Sequence, residues 1–106
     1  MGLPDAERVG KALNFLCDSD EPYARAAAQL EAAELRVKQV REVAFLEATG
    51  TQAERAARAN QTPEAIEANA DLEKKVYQKE LLKARRATAL VLIDVWRTLE
   101  ASQRRS

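Results

Sequence analysis

Carboxylates are the side chains here whose spacing comes nearest to a catalytic or metal-binding pattern. Glu31 and Glu34 stand three residues apart, as do Glu64 and Glu67, with Asp71 four residues further on. On a helix that spacing puts the acids on one face, where two carboxylates can share a divalent cation. In helical bundles such sites draw a His from a Glu-x-x-His step. This chain has no His and a single Cys, so no carboxylate metal centre is expected. The same lack removes the common zinc, haem and iron–sulfur ligand sets, and the Ser-His-Asp and Cys-His nucleophiles. No P-loop, G-x-G-x-x-G or metal-binding helix motif occurs. No catalytic, cofactor-binding or metal-binding residue is assigned, no cofactor is implied, and the expected protein is not an enzyme. Cys17 is read as a small buried or half-buried hydrophobe rather than a nucleophile.

The elements that carry these residues are helical. The chain has 106 residues, a length for one domain. Ala, Glu, Lys, Leu and Arg dominate, and three Gly with three Pro are too few to punctuate a sheet. The longest apolar stretch, residues 87–93, is broken by Thr88 and ended by Asp94, far short of the roughly 20 residues of a membrane span. The opening MGLPDAERVG has no basic stretch followed by an apolar core, so no secretory signal is expected. Ala6 stands where a myristoylation signal at Gly2 needs Ser or Thr. A lone Cys suits a reducing cytoplasm.

Spacing and caps divide the single domain, 1–106, into four helices. Val9, Ala12, Leu13 and Leu16 form one apolar face and predict a helix over residues 5–17, with Gly10 weakening it. Asp18-Ser19-Asp20 predicts a break, and Asp20, Glu21 and Pro22 read as a new N-terminus. A second helix, 21–48, repeats Tyr23, Leu30, Val37 and Ala44 every seven residues, with Ala26, Ala33 and Val40 between them. Gly50 ends it as a left-handed cap. Thr51-Gln52-Ala53-Glu54 is a capping box opening a short helix, 52–59, that has little to bury. Thr62-Pro63-Glu64 opens the last and longest, 63–102. Its main stripe is read as Tyr77, Leu81, Ala84, Thr88, Val91, Val95 and Leu99, with Ile66, Leu72 and Val76 thinner before it. The expected fold is all-α: two long antiparallel helices in a coiled-coil-like hairpin, with short helices at the N-terminus and the crossover.

Two surfaces follow. Leu90, Val91, Leu92, Ile93, Val95 and Trp96 surround the last helix almost completely. A helix apolar on every side is buried on every side, so a second subunit is expected against Val91, Leu92, Val95, Trp96 and Leu99. The alternative is that the first helix folds over this segment and a monomer suffices. Asp94 lies inside it, either paired with Arg97 at a rim or facing a partner. The second surface is charge. The chain is neutral overall, but residues 1–73 hold 8 basic and 14 acidic residues, a net of −6, and residues 74–106 hold 9 and 3, a net of +6. Lys75, Lys79, Lys83 and Arg86 follow a helical stripe, and Arg104-Arg105 end the helix. These six read as phosphate contacts, or as a solvated face paired with acids such as Glu31, Glu34 and Glu42. No aromatic platform for stacking bases accompanies them.

AERVGKALNFL at the start, EATGTQAERAARA in the middle and ATALVLIDVWRTLEASQRR at the end resemble small helical proteins encoded by tailed bacteriophages. Carrying the resemblance are Gly50-Thr51-Gln52-Ala53-Glu54-Arg55 and the closing run from Val95-Trp96-Arg97-Thr98 to Arg104. It implies a neighbourhood of early genes for recombination and replication, and no catalytic residue. The expected function is a non-enzymatic, homo-oligomeric accessory or scaffold in phage DNA metabolism, working in the host cytoplasm with another phage or host protein. The alternatives are an anti-CRISPR-like inhibitor of host defence and, more weakly, a direct nucleic-acid binder using the basic stripe. No membrane partner is expected.

Overall fold

A computed structural model describes residues 3–105 and contains three helices: α1 (Ala6–Glu47), α2 (Gln52–Ala59) and α3 (Pro63–Arg105). The described residues include no strand, and none of their helices is long and apolar enough to cross a membrane. Gly2, where the sequence argues against lipid attachment, lies outside the described residues.

The largest departure from expectation is at Asp18-Ser19-Asp20. No break occurs there, and no separate N-terminal helix exists: α1 runs for 42 residues with Pro22 inside it. Pro22 removes the backbone donor that would reach Asp18, at a cost of about 3 kcal/mol in a helix interior. Two features carry the helix through. Pro22 is exposed, so its ring meets no packed neighbour. Ser19 is buried, on the same face as Val9, Ala12 and Leu16, and its hydroxyl donates to the Leu16 carbonyl at 3.4 Å. The packed face therefore passes through the predicted break in steps of three and four, and the apolar surface on either side holds the turn.

The chain forms two compact units. The first joins the chain up to Ala24 with the stretch from Glu80 onward. Its core is Val9 and Ala12 of α1 against Ala89 and Ile93 of α3, with Phe15, Leu16, Leu92 and Trp96 packed around them. On α3 a buried and half-buried series in this unit is Leu82, Arg86, Ala89, Ile93, Trp96 and Glu100, again three and four apart, with Leu81 and Leu92 half-buried beside it.

The second unit is Arg25–Lys79. Ala26, Leu30, Ala33, Val37, Val40 and Ala44 are its buried or half-buried series on α1, the same seven-residue repeat that the sequence displays. On α3 the series is Ala65, Ala68, Leu72, Lys75 and Lys79. Ile66, Val76 and Tyr77, which the sequence assigns to the packed face, are exposed. Small residues win because they let helices approach closely, and lysine stems can lie along such a face with their ammonium groups in water.

The second unit also shows what α2 contributes. Thr51 caps it, accepting from the Glu54 backbone N–H at 3.2 Å, and Gly50 before it has φ +112°, a backbone that favours glycine. Its arginines reach back to the end of α1, which has no basic residue in its own last turn. Arg55 donates to the Phe45 carbonyl at 3.1 Å with its guanidinium 4.3 Å from the Phe45 ring centre, and Arg58 donates to the Thr49 carbonyl at 2.7 Å. They supply the cation and the donors that a helix C-terminus lacks. Ala59, at the end of α2, is buried, so the short helix covers more than its sequence suggests. α3 then begins with Thr62 accepting from the Ala65 N–H at 3.1 Å.

Pro22→Ala tests the unbroken helix. Restoring the donor at an exposed interior position should stabilise the protein by up to about 3 kcal/mol, read as a higher melting temperature by circular dichroism. An unchanged or lower melting temperature contradicts a helix interior at Pro22.

Candidate interaction surface

Arg86 fixes the rotation of α3 in the first unit. Its guanidinium donates through Nη1 to the Leu16 carbonyl at 3.0 Å and to Ser19 Oγ at 2.7 Å, and through Nη2 to Asp20 Oδ1 at 2.7 Å. It also lies 5.4 Å from the centre of the Tyr23 ring. These contacts fall on both sides of Pro22. They splint α1 at the turn where it has lost a backbone bond. A planar fork with five donors suits three acceptors better than an ammonium does. The side chain is 21% exposed, against 70% for Asp20, so the inward bonds to Leu16 and Ser19 matter more than the solvent-screened ion pair.

With Arg86, Ala89, Ile93 and Trp96 facing α1, the rest of α3 is set. Leu81, Ala84, Thr88, Val91, Val95 and Leu99 lie on a second stripe, about a third of a turn around the helix. The sequence takes this stripe as the packed one. Instead most of it is open: Val91 is 61% exposed, Val95 39% and Leu99 37%, and Ala84 and Thr88 are exposed too, while Leu81 is half-buried. Leu92 and Trp96, expected with Val91, Val95 and Leu99 in self-association, are half-buried against the core. Leu3, which precedes α1 and which no helical period could flag, borders the stripe. With Pro4, Ala87, Val91, Leu92 and Val95 it lines a groove of about 670 Å³. A shallower groove of about 460 Å³ has Ala12, Phe15 and Leu92 as its floor and Arg8, Lys11 and Arg85 at its edge.

The six candidate phosphate contacts differ in their surroundings. Arg86 is held inside the first unit. Lys75, in the second, is half-buried and 4.0 Å from Asp71, and Lys79 is half-buried too. Lys83, Arg104 and Arg105 are exposed. Glu31, Glu34 and Glu42, the expected partners of the basic stripe, are exposed; Arg36 pairs with Glu67 at 3.6 Å between the long helices of the second unit. Asp94 is exposed. Cys17 is exposed rather than buried, because Leu16 and Ser19 take the packed positions beside it. Among the described residues no three His, Cys, Asp or Glu side chains stand together as a metal site would need.

No protein-family model matches this sequence, and neither a curated protein nor a solved structure does.

Replacing Arg86 tests the splint. Arg86→Met should lose about 2 kcal/mol of stability, since bonds from a charged donor contribute roughly 1.5–3 kcal/mol and the exposed Asp20 adds little. Arg86→Lys should recover only part. Urea unfolding of both variants provides the check; a Met variant as stable as the parent contradicts the role given to Arg86.

Proposed function

We propose that this chain is a non-enzymatic helical interaction protein whose two long helices pair antiparallel, as a coiled-coil-like hairpin, and which self-associates through the outward stripe of α3. The antiparallel pairing is supported in the first unit, where Val9 and Ala12 cluster with Ala89 and Ile93 while Ser19 and Asp20 meet Arg86. One observation carries self-association. Thr88, Val91 and Val95 recur at coiled-coil spacing, and they are open to water beside the core, with Leu99 four residues further on. Covering them removes apolar area from water at roughly 25 cal/mol per Å². Zero net charge means that copies meet without overall repulsion.

For the process served, the resemblance of the opening, middle and closing segments to small phage proteins favours an accessory or scaffold in DNA recombination or replication, acting in the host bacterial cytoplasm. Direct binding of nucleic acid is the weaker reading, because Lys75, Lys79 and Arg86 lie along the packed face of α3. Salt-dependent retention of single-stranded DNA by the isolated protein would favour that reading, and retention of a host defence complex the inhibitor one.

Sedimentation equilibrium tests self-association. The parent chain should show a mass above 11.8 kDa that falls on dilution. Val91→Asp should be monomeric with its helicity intact, because Val91 is exposed and lies outside the core. Trp96→Ala should instead lose about 2 kcal/mol of folding stability, a partly buried version of the usual aromatic truncation cost. A parent monomeric at all concentrations contradicts the proposal.

A further inference from the structure

We infer that the outward stripe of α3 is the seam of a parallel coiled coil with α3 of a second copy, set in register by Glu80 of one copy and Arg85 of the other. This rests on the self-association proposed above and adds to it the orientation and the residues that choose it. Leu81, Ala84, Thr88, Val91 and Val95 alternate steps of three and four, the spacing that lets two helices mesh along a seam.

The flanks of that seam differ in sign. Glu80 precedes Leu81 and Asp94 precedes Val95, on one flank. Arg85 follows Ala84 and Leu92 follows Val91, on the other. In a parallel pair, a residue on the first flank meets the residue five positions later on the second flank of its neighbour. Glu80 then meets Arg85 of the second copy, and the symmetric contact repeats it. In an antiparallel pair each flank meets its own kind, so the acids face acids or alanine and Glu80 never reaches Arg85. Charge complementarity thus selects the parallel arrangement.

Side-chain geometry agrees. Glu80 and Arg85 are both exposed, and neither makes an ion pair within its own chain among the described residues. Thr88 is the polar member of the seam, and its hydroxyl already donates to the Ala84 carbonyl at 3.0 Å. A second helix can cover it without stranding a buried polar group. Ala84 and Thr88 are small enough to let two helices approach closely, and Val91 and Val95 supply the larger apolar seam positions beyond them.

Charge reversal and cross-linking test the inference. Glu80→Arg and Arg85→Glu should each weaken assembly about three- to tenfold in sedimentation equilibrium, in line with exposed charge pairs. The double variant should return to within about twofold of the parent. In a Cys17→Ser background, Ala84→Cys and Val95→Cys should each form a disulfide to the same position of another copy, since parallel helices bring identical seam positions together. Assembly that persists while neither or only one of these positions links to itself overturns the parallel arrangement. So does a double variant no better than the singles. In both cases self-association stands, whereas a parent chain that never assembles overturns self-association as well.

Discussion

Seven alanines make up most of the fully buried set among the described residues, joined by Val9, Ile93 and Ser19. No large side chain is completely enclosed. An alanine methyl group contributes roughly 0.8 kcal/mol on burial, whereas a leucine or valine contributes about 1.5–3. Two helices built on alanine approach closely but gain little from each contact. Many of the larger side chains are only half-covered at the edges of these faces, and others stay on the outer faces. Leu35, Val43, Leu46, Ile66, Leu90 and Val91 are all exposed. A chain so made has a thin core and much apolar surface left over. The exposed apolar surface follows from the choice of alanine rather than from any special motif.

Polar groups then decide which face is which. Arg86 takes three acceptors from one turn of α1 and touches Tyr23. It sets the rotation of α3, supports the turn weakened by Pro22, and leaves Val91 and Val95 outside. Lys75 and Lys79 lie on the packed face of the same helix, in the other unit. Three of the six cations read as candidate phosphate contacts therefore lie on packed faces, and Lys83, Arg104 and Arg105 are exposed. The end of α1 follows the same logic, its carbonyls met by Arg55 and Arg58 of α2. In both units arginine holds helix to helix where apolar contact is scarce.

Local chemistry was legible in the sequence. Thr51 and Thr62 cap helices through their own hydroxyls, and Gly50 takes a backbone that glycine favours, because each depends on residues within one turn. The repeat from Tyr23 to Ala44 was legible for the same reason. Tertiary choices were not. Asp18-Ser19-Asp20 has weak helix propensity, and nothing local shows that Ser19 will be buried and bonded to Arg86, 67 residues away. The phase of α3 differs from the one hydropathy predicts, because alanine is chosen for close approach and Arg86 for its hydrogen bonds to α1, neither of which hydropathy ranks above valine and leucine. Val91, Val95 and Leu99 were recognisable as apolar, but which helix would cover them was not. Glu80 and Arg85 carry no signal until the outward stripe is known. Leu3 sits before the helix, outside any period.

The most direct measurement is the rate at which a thiol reagent reacts with a single cysteine placed at Val91 or at Ile93, with Cys17→Ser, across a range of protein concentrations. Cysteine at position 91 should react fast in dilute protein and become protected as concentration rises. Cysteine at position 93 should be slow throughout. Equal rates at the two positions, or a position 91 whose rate ignores concentration, would contradict an outward stripe that another copy covers.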